Sequence, residues 1–148
     1  FFNDPFGSTV ASGINPAFFA FVPTLEADSW ITIGIDSQNT GDEVAISTVE
    51  DASQPFVASF QSGSAIDGQD IEINTQTGGA WYVLNGSANG LPDDDGRVLA
   101  LQFTTAGTFS GEMNFQIFEN GDGSTDITIG TADDSIRTKR FSETKHRF

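Results

Sequence analysis

Apolar and polar residues alternate most regularly between Gly96 and Phe118, on either side of Ala106-Gly107. In the first run Leu99, Leu101 and Phe103 share one face, and Val98, Ala100 and Gln102 the other. In the second, Phe109, Met113, Phe115 and Ile117 oppose Ser110, Glu112, Asn114 and Gln116. A period of two on both sides of a glycine that tolerates positive φ predicts a β-hairpin, one face in the core and one in solvent.

Similar but shorter patterns recur along the chain. Residues 28–36 place Ile31, Ile33 and Ile35 on one face. Residues 44–49, 55–60, 70–74, 80–84, 126–129 and 135–141 read as further strands, separated by turn-forming stretches such as 37–42, 61–69 and 85–95. Residues 17–22, Ala-Phe-Phe-Ala-Phe-Val, are apolar on both faces and bracketed by Pro16 and Pro23, which cannot donate to a ladder. Such a strand must be covered on both sides, in its own domain or in another. Residues 1–16 read as irregular chain with aromatic anchors. We find no 12-residue window with a 3.6-residue apolar repeat. The pattern predicts an all-β fold, an antiparallel sandwich or flattened barrel of about nine or ten strands. Residues 1–134 are expected to form one β domain, and residues 135–148 a basic strand or tail.

Composition supports this. The 148 residues include 16 glycines, 14 phenylalanines and no cysteine, which favours strands and turns and excludes disulfides, thiolate metal sites and a cysteine nucleophile. A chain of this length buries roughly 70% of the surface its unfolded form exposes, so it needs no staples. No apolar run approaches the ~20 residues that cross a bilayer, and no signal-peptide pattern opens the chain. A chain that opens Phe1-Phe2 reads as the continuation of a longer one.

Charge is distributed unevenly. Residues 1–136 carry 20 acidic groups against Arg97, a net of −19. The last twelve carry Arg137, Lys139, Arg140, Lys145 and Arg147 against Glu143, a net of +4. An acidic body repels nucleic acid and anionic membranes, so neither is an expected partner. The tail reads either as a solvated end or as an element that docks on the acidic body of a neighbouring copy.

Candidate chemistry is sparse. Paired carboxylates on a sandwich are glycosidase chemistry, and Asp36, Glu50, Asp51, Glu72 and Glu112 are candidates, but among 21 acidic residues most solubilise a surface. The histidine, His146, lies in the tail, and no Gly-x-Ser-x-Gly elbow occurs. Asp93, Asp95 and Asp122 lie in Asp-rich turns that offer oxygen ligands to Ca²⁺, without the spacing of an EF-hand loop. Asn85-Gly86-Ser87 is a candidate glycosylation sequon. Trp81, with Tyr82 and Leu84 on the opposite face, is the candidate for stacking on a sugar, although strand aromatics are more often core.

Four blocks carry a resemblance: Asn15-Pro16-Ala17-Phe18-Phe19, Asp28-Ser29-Trp30-Ile31-Thr32-Ile33-Gly34, Gly79-Ala80-Trp81-Tyr82-Val83-Leu84, and Asp94-Asp95-Gly96-Arg97-Val98-Leu99. With the continuation to Asn120-Gly121-Asp122-Gly123, residues 1–130 resemble an uncharacterised all-β module of large, acidic, secreted or surface proteins from aquatic microalgae and bacteria. The resemblance implies further strand-forming sequence ahead of the Phe-rich segment, hence an open edge here, and supplies no catalytic residues. The tail after Thr131 departs from the module's pattern.

These observations together lead us to expect a non-enzymatic structural subunit of an extracellular filament or surface appendage, a homopolymer built by β-strand complementation. Candidate assembly residues are Phe1, Phe2, Phe6, Phe18, Phe19, Phe21, Arg137, Lys139 and Arg140. The alternative is a carbohydrate-binding adhesive module using Trp81. No cofactor is expected beyond the candidate Ca²⁺.

Overall fold

A computed structural model describes residues 1–118, 127–132, 139–141 and 145–147. Among them lie eight strands of two to six residues: β1 Trp30–Ile31, β2 Ser47–Val49, β3 Ala80–Tyr82, β4 Leu101–Thr104, β5 Met113–Phe118, β6 Ile127–Ala132, β7 Lys139–Phe141 and β8 Lys145–Arg147. They form one four-stranded sheet in the order β1-β4-β8-β7 and two separate pairs, β2-β3 and β5-β6. Each pairing is antiparallel. This corrects the expected nine- or ten-strand sandwich or barrel: the described strands are short, split among three sheets, and close no barrel.

The reasons are local. Residues 17–22 do not extend, because Pro16 and Pro23 each start a 3-10 turn, Pro16–Phe18 and Pro23–Ala27, where a fixed φ is pre-set and the missing N–H is not needed. The Asn15 side chain caps the first turn by accepting from the Ala17 N–H at 3.0 Å. Residues 55–60 likewise end in a 3-10 turn, Val57–Phe60. Residues 71–75 keep alternating burial but belong to no strand, so a period of two survives there without a ladder. The expected hairpin also fails: β4 pairs with β1 and β8, and β5 pairs with β6. At the intended turn, the Gly107 N–H bonds to the Thr105 hydroxyl at 3.1 Å rather than across a hairpin.

β1 organises the interior. Its two residues point to opposite faces, as strand geometry requires: Trp30 enters a core with Ala11, Ile14 and Leu25, and Ile31 a second core with Phe56, Phe60 and Leu101. The register carries this across to β4, with Ile31 opposite Leu101 and Trp30 opposite the buried Gln102. Pairing continues past the strand, since the Thr32 N–H reaches Ala100 O at 2.9 Å and the Gly34 N–H reaches Leu99 O at 2.8 Å. Burying each of Trp30, Phe56 and Phe60 contributes on the order of 2–3 kcal/mol. No helix among the described residues is long and apolar enough to cross a membrane.

Gly34 ends this wall at φ +72°, and a Cβ there would lie 1.9 Å from the Asn89 carbonyl oxygen. Gly63 has φ +81° and open space around it. Gly63→Ala should therefore cost about 1–2 kcal/mol, the strain of a left-handed alanine alone. Gly34→Ala should cost clearly more in urea denaturation, because backbone must also move. Equal costs would contradict this packing.

Candidate functional site

The first ten residues, which hold three of the candidate assembly aromatics, are strapped onto the body. The strap runs from the Phe1 nitrogen on Gly68 O at 2.6 Å, through Phe2 N–H on Thr104 O at 2.8 Å, to Ser29 N–H on Phe2 O at 3.1 Å. Beyond it, the Asp28 carboxylate accepts the N–H groups of Asp4 and Ser8, at 2.8 and 2.9 Å. Asn3-Asp4-Pro5-Phe6-Gly7 makes the necessary bend, since the Phe6 N–H bonds to Asp4 Oδ1 at 2.8 Å and the Gly7 N–H to Asp4 O at 2.8 Å. At Gly7 a Cβ would fall 2.2 Å from Asp28 Oδ2, so the strap can lie this close to the carboxylate only with glycine.

Asp28 is fully buried. Burial pushes its carboxyl up to about 6 against the opposing pull of the Asp4, Ser8 and Ser29 N–H groups, and the charge of Asp4 pushes in the same direction as burial. Sequence reading missed this carboxylate, which sits in a strand-like run and looks like any other surface acid. The signal was the Asn-Asp-Pro-Phe-Gly bend at residues 3–7, which needs something to wrap around.

The candidate aromatics divide into two groups. The Phe1 ring packs 5.0 Å from Phe60 and 4.8 Å from Phe103, and Phe19 packs against the first core. Phe6, Phe18 and Phe21 are 73%, 53% and 81% exposed, and Phe2 is partly so. Lys139 and Arg140 lie on β7, and β8 follows along β4; Arg137 lies outside the described residues.

Other candidate residues are engaged locally. The Trp81 indole N–H is shared between the carbonyls of Thr32 and Ala100, at 3.0 and 3.1 Å, and its ring lies 6.1 Å from Phe56. It therefore packs on the second core while Tyr82 and Leu84 face out, and its indole edge is turned to the body's own backbone. Asn85 is exposed in a turn closed by Ser87 N–H on Leu84 O at 3.1 Å. Asp93 Oδ1 accepts the N–H groups of Asp95 and Arg97, which holds its carboxyl below the usual range, and the Arg97 guanidinium pairs with both Asp93 and Asp95. Asp122 lies outside the described residues. Among the candidate enzyme carboxylates, Glu50 caps the Phe56 and Val57 N–H groups, Asp51 accepts from Ser53 and Glu72 from Asn74. Asp36 accepts from the Ser37 hydroxyl, and Glu112 is exposed. Among the described residues no three His, Cys, Asp or Glu side chains gather as a metal-holding group.

Comparison with family models, curated proteins and solved structures gives no match.

Trp81→Phe keeps the ring but removes its donor to two carbonyls, and should lower stability by about 1–2 kcal/mol in urea denaturation. An unchanged midpoint would contradict the anchoring role.

Proposed function

We propose that the protein is a structural subunit of an extracellular filament or surface appendage, in which the basic C-terminal strand of one copy completes the sheet of the next. The observation that carries this reading is the place of β8. It runs antiparallel along β4, with Arg147 opposite Gln102, His146 opposite Phe103 and Lys145 opposite Thr104, and β7 follows on its outer side. Without β8, β4 would present an unpaired edge, a ready template for an added strand. A contact made by a terminal strand within one chain can be made identically between two, the low-cost route by which swapped assemblies arise.

Magnitudes decide what else the assembly needs. Three residue pairs supply on the order of 2–4 kcal/mol of backbone bonding, which alone corresponds to dissociation in or above the millimolar range. The +4 tail meeting a −19 body supplies the remaining attraction, together with the exposed Phe6, Phe18 and Phe21. The resemblance to a module of secreted and surface proteins points to the same class and to an extracellular setting.

The chain should form filaments visible by electron microscopy at low salt. It should lose them at about 1 M salt, where the screening length falls to about 3 Å. Deleting residues 135–148 should leave a folded monomer. Dispersed full-length chains at every salt concentration, or undiminished filaments from the deletion variant, would overturn the proposal.

A further inference from the structure

Of the three Asn-Gly pairs in the sequence, at 85–86, 89–90 and 120–121, the first two lie among the described residues, and their surroundings are opposite. Asn89 is 4% exposed; its amide nitrogen donates to Ile33 O and Val44 O, and its oxygen accepts the Val44 N–H. The Gly90 N–H is engaged as well, on Ser87 O at 3.0 Å. Asn85 and Gly86, by contrast, are both exposed. Neither the Asn85 side chain nor the Gly86 N–H has a hydrogen-bond partner among the described residues. Gly86 has φ +81° and open space where a Cβ would stand, so nothing beside it blocks rotation of the peptide that joins the pair. The turn is closed outside that peptide, by the Ser87 N–H and hydroxyl on Leu84 O at 3.1 and 2.6 Å.

An asparagine followed by glycine sets an electrophilic side-chain carbonyl next to a backbone nitrogen that can close a ring on it, and glycine has no Cβ to obstruct the approach. We propose that Asn85 is a self-modification site, at which the folded protein converts its own Asn85-Gly86 link through a cyclic imide to aspartate or isoaspartate. The Gly86 nitrogen, having lost its proton to hydroxide, forms a bond to Asn85 Cγ. The Cγ–Nδ2 bond then breaks, and Nδ2 leaves as ammonia with a proton taken from water. Water next opens the imide: attack at Cγ leaves aspartate, and attack at the main-chain carbonyl leaves isoaspartate, which lengthens the backbone by a carbon. Nothing is oxidised or reduced, and water is the sole co-reactant. Either product adds a carboxylate to the turn beyond β3, next to exposed Leu84. It also removes the amide nitrogen to which the Asn85-Gly86-Ser87 sequon would join a glycan. The proposal is independent of strand exchange by the tail.

The test holds the full chain at mildly alkaline pH, once folded and once in urea, and follows Asn85 and Asn89 by mass-spectrometric fragmentation of chymotryptic peptides. Released ammonia is the second readout. In urea the two asparagines should convert at similar rates. In the folded protein Asn85 should keep that rate to within about tenfold, while Asn89, which must first break its hydrogen bonds, slows by on the order of a hundredfold. Gly86→Ala should slow conversion at Asn85 by about tenfold or more, through the added Cβ. Asn85→Gln should lower the ammonia that the folded chain releases. Absence of conversion at Asn85, or folded protein in which Asn85 is protected as strongly as Asn89 or Asn89 converts as fast as Asn85, would overturn the proposal.

Discussion

Every backbone N–H and C=O that folding buries must find a partner, and here short ladders leave much of that pairing to side chains. Asn89 acts as a missing strand would: its amide donates to Ile33 O at 3.0 Å and Val44 O at 3.1 Å while its oxygen accepts the Val44 N–H. Gln102 donates to Asp28 O at 2.7 Å, Asp28 holds Asp4 and Ser8, and Trp81 holds Thr32 and Ala100. Each such bond is worth only about 1 kcal/mol net, but its loss strands a buried group at a cost of roughly 1–3 kcal/mol. These side chains hold 3-10 turns and loops in place where longer sheets would otherwise be required.

The sequence read well where a signal was local. Segments centred on β1, β3, β4 and β5 carry the expected alternation, and those segments do hold strands. What could not be read was the choice of partner, which is set by distant residues. β4 and β5 look like one hairpin, yet β4 is claimed by β1 through Ile31 opposite Leu101, and by β8. Leu99 and Leu101, assigned to one face, serve different cores. Pro16 and Pro23 start turns instead of bracketing a strand. At the candidate site, Phe6 was expected to anchor the chain and residues 17–22 to be covered on both faces, whereas Phe6, Phe18 and Phe21 are exposed. The burial of Asp4 and Asp28 was not legible, because the bend at residues 3–7 signals that the chain wraps around something but does not say which carboxylate receives its N–H groups.

The side-chain staples lie in residues 1–102, and of them Gln102 sits on β4 opposite Arg147 of β8. Asp28 holds the N-terminal strap, Asn89 joins the loops beside Gly34, and the two cores meet across β1; none of these contacts involves residues 135–148. The contacts of Asp28 and Asn89 and the packing across β1 hold the body together by means other than β8, as the proposed exchange at the edge of β4 requires. In the proposed assembly charge would make the exchange directional, because each copy has a cationic end and a strongly anionic body.

The most direct measurement exploits the absence of cysteine. Chains carrying Gln102→Cys and chains carrying Arg147→Cys, positions opposite one another across β4 and β8, are mixed and oxidised at low salt. Strand exchange predicts a heterodimer linked between the two kinds of chain, which disappears at high salt. If no such link forms, while the doubly substituted chain closes the same disulfide within itself as a monomer, the tail belongs to its own body and the account of assembly is wrong.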